Sequence, residues 1–558
     1  MNNSFSALSR TSILEAMQEQ KHDVLIIGGG ITGVGTAWDA SRRGLKTALI
    51  EMNDFAWGTS SRSTKLVHGG LRYLKQGEVK LVMEVGRERA LLHRNAPHIV
   101  IPAPMLLPVY KGGTYGYLAS SIGLYVYDLL AGVKRKERRK MFNREKTMQI
   151  EPLFKTEGLK GSGYYYEYRT DDARLTMEIA KCANRNGAKL VNYAKAGEFL
   201  YEAGKVVGVK VTDELSGQSY EIYAKKIVNA AGPWVDKVRE KDHAVVGKRM
   251  LLTKGVHLVV DYAKLPIRQA AYFDVPDGRM IFVIPRDGKT YIGTTDTFYK
   301  DAIEEPRTTD ADRDYLIDAV NAAFNNVNLK SSDVESMWSG LRPLIHEDGK
   351  KPSEVSRKDE IFVAESGLIT IAGGKLTGFR KMAEKVVDLV AKQLMSAEGG
   401  SYLPCSTDQE VISGGETGGV SYEEYKERII QDGEQLGLAR ETAAYLYSRY
   451  GSNTPVIYNN IREWEKEGSI NTEQKALMAE VHYCIDNEMA ASAVDFIVRR
   501  TGLLFFNVAR AKEISESVLH IMAERLGWNE AETAHQKERL DHAFETVQVV
   551  PAKAYQGQ

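Results

Sequence analysis

Cysteine is scarce in this chain: three in 558 residues, Cys182, Cys405 and Cys484. They lie far apart and none forms a CxxC pair, which argues against a disulfide framework and a zinc site. Free thiols in a reducing compartment are the plain reading. Long apolar runs are lacking too. No uncharged stretch reaches the ~18 residues that cross a bilayer; the nearest, Leu118 to Val133, contains Asp128. The N-terminus, MNNSFSALSRTSILEAMQEQ, has no apolar core behind basic residues, so it does not read as a secretory signal. These absences predict a cytoplasmic protein, with attachment to the inner membrane surface still open. No internal repeat is visible. At 43% apolar and 27% charged residues, collagen-like and disordered classes are excluded.

Net charge is also lacking, with 74 Lys+Arg against 74 Asp+Glu. The zero hides an asymmetry. Residues 1–150 carry 22 basic and 12 acidic side chains, and residues 401–558 carry 15 and 25. A basic front and an acidic tail point to different partners for the two ends, although a solvated surface gives the same count.

What is present begins with a short apolar run, Asp23 to Ile27, that stops at glycines as a buried parallel strand does. A helical stretch, Thr32 to Arg43, ends at Gly44. A second apolar run, Thr47 to Ile50, is closed by Glu51, giving β-α-β in about 30 residues. The middle is rich in β-branched and alternating segments: Lys205 to Thr212, Ile227 to Asn229, Gly255 to Val260, Met280 to Ile284 and Tyr291 to Thr294. Turns such as Pro276-Asp277-Gly278 and Arg286-Asp287-Gly288 predict antiparallel pairing there. Six glycines between Gly399 and Gly419 read as a linker. Helical apolar spacing over 421–449, 472–488, 507–526 and 534–547 predicts a helical C-terminal domain.

The string Gly28-Gly29-Gly30-Ile31-Thr32-Gly33 matches G-x-G-x-x-G, follows a strand, opens a helix and precedes an acid at a strand end, Glu51. Gly28 permits the tight turn, Gly30 the approach of a pyrophosphate, and Gly33 the packing of helix on strand. Free amides at the helix start bind the pyrophosphate, and Glu51 accepts from the ribose hydroxyls. Two later segments favour FAD over NAD. IVNAAGPW (227–234) is a strand that runs out into Ala-Ala-Gly. LITIAGGKLTG (368–378) leads from a strand into Gly373-Gly374 and a helix. That second helix start suits the negative charge of a reduced flavin.

Several motifs stand in one order: Gly28 to Gly33, SSRSTKLVHGGLRY (60–73), Asp171-Asp172-Ala173-Arg174-Leu175, NAAGPW (229–234), GTTD (293–296), SGLRP (339–343) and GGKLT (373–377). Together they resemble the FAD-dependent glycerol-3-phosphate dehydrogenases of the respiratory type, over residues 20 to 400. The resemblance implies an α/β fold in three parts. They are a Rossmann-like FAD domain of the glutathione-reductase type, an interwoven mixed and antiparallel substrate domain, and an all-α C-terminal domain. The corresponding division is a 1–20 arm; 21–90, 165–250 and 340–398 for FAD; 91–164 and 251–339 for substrate; a 399–420 linker; and 421–558. It implies FAD along Gly28, Gly30, Ile31, Thr32, Gly33, Glu51, Met52, Thr59, Ser60, Ser63, Lys65, Leu66, His68, Gly69, Gly70, Ala231, Gly232, Gly373, Gly374, Leu376 and Thr377. No metal is implied.

The implied reaction oxidises sn-glycerol 3-phosphate to dihydroxyacetone phosphate, with electrons passing through FAD to a membrane quinone. Arg72 and Arg342 would hold the phosphate in planar pairs. Lys375 adds a third positive charge, and Tyr73 a hydroxyl. His257 is a plausible base near neutral pKa, but His257, Lys375 and an arginine-polarised alkoxide all remain open as the proton's destination. For Arg342 or His257 alone, an ion pair or a satisfied core imidazole is the bland alternative. Rival functions are an oxidase using O2, a flavin amine or hydroxy-acid oxidoreductase, and a non-catalytic FAD sensor. The run Lys134 to Lys140 beside the tyrosine-rich stretch from Tyr115 reads either as a lipid-headgroup contact or as a solvated loop. It has no interleaved stacking aromatics, so nucleic acid is not expected. Capping or homodimer formation are the roles open to the C-terminal domain.

Overall fold

The computed structural model describes residues 5–69, 79–113, 116–130, 137–245, 247–347, 359–373, 375–464 and 471–548. Gly70, Arg72, Tyr73, Gly374 and residues 134–136 of the basic run lie outside them.

The glycine-bounded apolar runs form the centre of an eight-stranded sheet. His22–Ile27 lies between Thr47–Ile50 and Ser219–Asn229, parallel to both, and Lys189–Val191 and Ile369–Ala372 extend the parallel array. Both inner strands are buried on both faces, which is why they read as continuous apolar runs. Ile31–Arg42 packs against two other helices, Asp172–Arg185 and Phe379–Glu398. Gly35, Phe379 and Ala383 meet in one of these contacts, where a Cβ on Gly35 would stand 2.7 Å from the Phe379 ring.

A ten-stranded second sheet holds three of the segments expected to be antiparallel, 255–260, 280–284 and 291–293. Residues 205–212 pair antiparallel at the edge of the first sheet, and 227–229 is parallel within it, since its neighbours there are the two parallel strands His22–Ile27 and Ile369–Ala372. The longest ladders of the second sheet are Lys248–Asp261 with Val334–Glu347 and Val100–Tyr110 with Leu159–Thr170. The boundaries expected at 165, 250 and 340 therefore fall inside single strands, since continuous ladders carry the chain past them. Neither the arm nor the linker is loose. Arg10 of the first helix is buried in an ion pair with Asp213 at 2.6 Å. Residues 401–420 have no helix or strand, but Glu410 accepts from Trp38 Nε1 at 2.7 Å and pairs with Arg42.

The C-terminal part is helical, as the spacing predicts. Ser421, Asn471, Asn507 and Asn529 each accept a backbone N–H in the first turn of a helix. Its core is continuous with the second sheet, where Phe505 and Phe506 lie against Trp338. Its deepest contact with the first sheet is ionic. A π-helical turn, Asp495–Arg500, aims consecutive arginines at Asp54. Arg499 Nε donates to Asp54 at 2.5 Å, and Arg500 donates through two nitrogens at 2.7 and 2.9 Å. Asn192 adds a fourth donor at 3.1 Å.

Burial raises the Asp54 carboxyl, but the charges of Arg500 and Arg499 outweigh it and hold the pKa at about 2. With the ordinary value at 3.8, this contributes about 2 kcal/mol of stability, present above pH 4 and lost as pH falls towards 2. Asp54→Ala removes the carboxylate that two buried guanidinium groups share, leaving Arg499 with Asp495 and Arg500 with Glu488 at 3.7 Å, at an expected cost of about 3–5 kcal/mol. Guanidinium chloride unfolding of the two proteins at pH 7 checks the cost. A midpoint shift of no more than the surface-mutation scale of about 0.5 kcal/mol would contradict it.

Candidate active site

The glycine turn is dictated by contact. Gly28 has φ +115°, and a Cβ on it would lie 2.6 Å from the Ala230 carbonyl oxygen. A Cβ on Gly33 would stand 1.8 Å from the Gly28 carbonyl oxygen. Only glycine lets strand, turn and helix close to this distance. Gly30 begins the helix without a side-chain cap, and the Ile31 N–H donates to Ser60 Oγ at 2.9 Å. Glu51, at the end of the second strand, accepts from Gly29 N at 2.6 Å and from Asn53 N at 2.9 Å. Burial pushes its pKa up to about 6 against those two amides.

A cavity of 550 Å³ runs along this turn. Gly28, Gly30, Ile31 and Thr32 form its floor with Glu51 and Met52, and Thr59, Ser60 and Ser63 form one side. Ala231 and Gly232 line another part, and Gly373, Lys375 and Leu376 bring the second glycine turn to it. Gly33 lies beneath, in the helix–strand contact. The donor set fits a dinucleotide: a glycine turn at a helix start, a carboxylate at the strand end, and a second strand–glycine junction.

Of the other expected residues, Lys65, Leu66, His68, Gly69 and Thr377 do not line the cavity. Thr59 Oγ1 donates to the Leu341 carbonyl at 2.6 Å, tying this loop to the arginine strand. Lys65 is buried against Asp172 at 2.5 Å and does not line the cavity. Leu66 is buried in a short strand opposite Arg169. His68 and Thr377 bond each other: the His68 N–H donates to Thr377 Oγ1, which donates to the His68 carbonyl. The Gly69 N–H donates to Glu167 at 3.3 Å.

Arg342 extends from the strand Val334–Glu347 over Gly255, where a Cβ would strike its guanidinium at 2.3 Å. It donates to Thr294 Oγ1 at 2.9 Å and the Thr295 carbonyl at 3.2 Å, with Asp296 at 3.5 Å. His257 is buried. Its Nε2 is 3.0 Å from Thr64 Oγ1, and its ring stacks on Trp338 at 4.8 Å. Burial first, then the charges of Arg342 and Lys65, hold its pKa well below 6.5. His68 is lowered as well, by burial and then by Lys375, Arg89 and Arg342 against Glu167. Arg342 thus acts on both imidazoles, and Lys375 on His68, so the four residues share one electrostatic neighbourhood. Among the described residues no cluster of His, Cys, Asp or Glu could hold a metal ion.

Residues 23–380 match the family of FAD dependent oxidoreductases, and residues 405–533 match the C-terminal domain of alpha-glycerophosphate oxidase. Aerobic glycerol-3-phosphate dehydrogenase of Bacillus subtilis (strain 168) is 54% identical over 542 residues, covering 97% of this chain and 98% of the relative. The enzyme of that name from Staphylococcus haemolyticus is 51% identical, with 97% of each chain covered. The chain belongs to the aerobic glycerol-3-phosphate dehydrogenase family.

Membership makes FAD the cofactor. The crystal structure of glycerol-3-phosphate dehydrogenase from Bacillus halodurans complexed with FAD superimposes on this family member with a TM-score of 0.84. It is 45% identical, with 97% of this chain and 98% of that one covered. An L-alpha-glycerophosphate oxidase from Mycoplasma pneumoniae, 19% identical at a TM-score of 0.53, covers 66% of this chain and 95% of its own length, and shares the fold.

The residues that orient the predicted ones are those that sequence reasoning left without a role. Thr64 holds His257, Trp338 lies under its ring, and Thr294 and Thr295 hold Arg342. All four were inside or beside the quoted motifs, but nothing in a motif says which side chain faces which. Asp54 and its two arginines had no signal, because their separation in sequence exceeds 440 residues.

Glu51 supplies a pH test. On the proposal that ionised Glu51 accepts from both ribose hydroxyls of FAD, FAD affinity falls as pH drops through about 6. The loss from pH 7 to pH 5 approaches about ten-fold, or 1.4 kcal/mol. Glu51→Gln removes this dependence. Flavin fluorescence titration of the apoprotein measures it, and equal slopes in the two proteins would refute the assignment.

Proposed function

We propose that this enzyme oxidises sn-glycerol 3-phosphate to dihydroxyacetone phosphate and passes the electrons to a membrane quinone. The observation that supports the reading is a shared electrostatic neighbourhood: Lys375 lines the cavity beside the second glycine turn and acts on His68, while Arg342 acts on both His68 and His257. The curated relatives named above are called aerobic glycerol-3-phosphate dehydrogenases, and their name supports the same substrate. FAD, when bound, accepts a hydride from substrate C2 at N5.

This chain's residues do the rest. Arg342 offers a planar guanidinium whose orientation is fixed by Thr294 and Thr295, the geometry for a phosphate oxygen pair. Lys375 supplies a second cation next to the Gly373 turn, and Arg72 and Tyr73 belong to the same substrate set by resemblance. His257 takes the C2 hydroxyl proton. Its depressed pKa keeps the imidazole neutral at working pH. With Nε2 donating to Thr64, Nδ1 keeps a lone pair, and that atom is buried with no hydrogen-bond partner among the described residues.

Quinone dissolves in lipid, so the enzyme must reach a membrane. No helix among the described residues is long and apolar enough to cross one. The helix Tyr117–Leu130 instead exposes Ile122 and Tyr125, 55% and 58% exposed, with the Arg139 guanidinium 5.5 Å over the Tyr125 ring. We assign this face to peripheral contact with anionic lipid. Within the basic run, Glu137 points inward and accepts from the Tyr168 hydroxyl at 2.6 Å. Ile122→Asp with Tyr125→Asp should abolish flotation with phosphatidylglycerol vesicles while leaving turnover with a soluble quinone analogue intact.

The function itself is tested by anaerobic bleaching. Glycerol 3-phosphate should bleach the flavin band under argon, and a quinone analogue should restore it. Failure to bleach refutes the substrate, and restoration only by oxygen refutes the acceptor. Arg342→Ala should retain FAD and raise KM by the equivalent of about 2 kcal/mol or more. His257→Asn should lower kcat by about 10²–10⁴. In the unaltered enzyme kcat should stay level as pH falls through 6.5, because the imidazole is already neutral there. An ordinary histidine limb at 6.5 would contradict the environment described for His257.

A further inference from the structure

A second, smaller cavity of 200 Å³ lies between the helical domain and the oxidoreductase unit. Trp57 and Glu304 line both this cavity and the cofactor cavity, so the two share a wall. Much of the lining is apolar and aromatic: Trp57, Trp338 and Phe505 stand with Val494 and Val498. Its charged groups are, with one exception, bonded elsewhere. Arg499 pairs with Asp54 and Asp495, and Arg539 donates to the Tyr193 hydroxyl. Glu304 pairs with Lys237 at 2.6 Å, and Glu305 with Arg307 and His542, each at 2.6 Å.

The exception is Arg62. Its guanidinium lies 5.8 Å from the Trp57 ring centroid, and it makes no hydrogen bond or ion pair among the described residues. Burial and the nearby charge of Arg499 act against it, lowering its pKa to about 10, with only the already bonded Glu305 in its favour. It remains a cation at neutral pH. The side chain is half-buried, and its position beside an aromatic cavity gives that unpaired charge a use.

We propose that this cavity binds a small organic monoanion with a flat apolar body, its charge on Arg62 and its body between Trp57 and Trp338. The volume sets the size, being several times the ≈ 30 Å³ share of a water molecule and well below the cofactor cavity. One negative charge matches one unpaired guanidinium; a second would face Glu304 and Glu305. The site is separate from that of the phosphate substrate, which meets Arg342 and Lys375. It touches the reaction centre through Trp338, which carries His257 on its ring, and the cofactor through Trp57.

The test is calorimetric titration of FAD-loaded full-length protein with benzoate, and with benzyl alcohol as the neutral counterpart. Benzoate should bind saturably at one site per chain, and benzyl alcohol at least ten-fold more weakly. Arg62→Gln should weaken benzoate at least ten-fold. Ala543→Leu, which fills the cavity from the C-terminal helix without touching Arg62, should abolish binding. Inorganic phosphate, a probe of the substrate site, should not displace it. The proposal is overturned by absence of saturable binding, by equal affinity for the alcohol, or by displacement by phosphate. It is also overturned if either folded, FAD-loaded variant binds benzoate unchanged. Should Arg62→Gln fail to fold, Ala543→Leu decides alone.

Discussion

One buried carboxylate, Asp54, ties the two halves of this molecule together. Three residues upstream, Glu51 closes the second strand and faces the cofactor cavity; three residues downstream, Trp57 lines it. Between them the chain turns back and is gripped by Arg499 and Arg500 from the far end of the sequence. The grip continues outward, since Asn192 joins Asp54 to the backbone of Met489 and to Arg10 of the N-terminal helix. A buried ion pair is poor evidence of net stability, because desolvation offsets much of the attraction. Its value here is geometric. Two planar guanidinium forks on one carboxylate allow few alternative arrangements, and that fixes the loop whose residues must stand at hydrogen-bond distance from a dinucleotide.

The same reasoning explains why the reaction centre carries cations and neutral imidazoles together. Arg342 and Lys375 suit the anionic substrate proposed above. Burial, then Arg342 and Lys65, lowers His257, while burial with Lys375, Arg89 and Arg342 lowers His68. One arrangement therefore serves both the proposed substrate binding and an imidazole kept free of its proton. Arg342 donates to a threonine hydroxyl and a carbonyl, with Asp296 at 3.5 Å. These bonds fix its orientation.

Much of this was legible in the sequence, for identifiable reasons. The parallel strands show as apolar runs because both faces are covered. The glycines at 28 and 33 show because close approach tolerates no Cβ. The C-terminal helices show through 3.6-residue spacing and polar caps. Legibility ends where contacts are long-range. Lys65 stands in a motif of cofactor-loop residues, yet its side chain turns to Asp172, a partner 107 residues away. The strand Val334–Glu347 runs through an expected domain boundary because its ladder with Lys248–Asp261 is set by register, which composition does not record. The helical domain offered only an acidic count and a fold class.

That count deserves a physical reading. Residues 401–558 carry ten more acids than bases, yet the charges with which this domain touches the cofactor loop are basic and buried. Arg499 and Arg500 are within 4% exposure, whereas acids such as Glu423, Glu513 and Glu516 are well exposed. Net charge reports the exterior, where screening over about 8–10 Å limits its reach to surfaces and partners. The membrane contact proposed above would set such a surface away from an anionic bilayer and turn the basic residues 1–150 towards it. Interior charge, undiluted by solvent, sets geometry and pKa. The zero that summarises the whole chain is thus the sum of two unlike quantities: an exterior that meets solvent and an interior that holds the loop after the second strand in place.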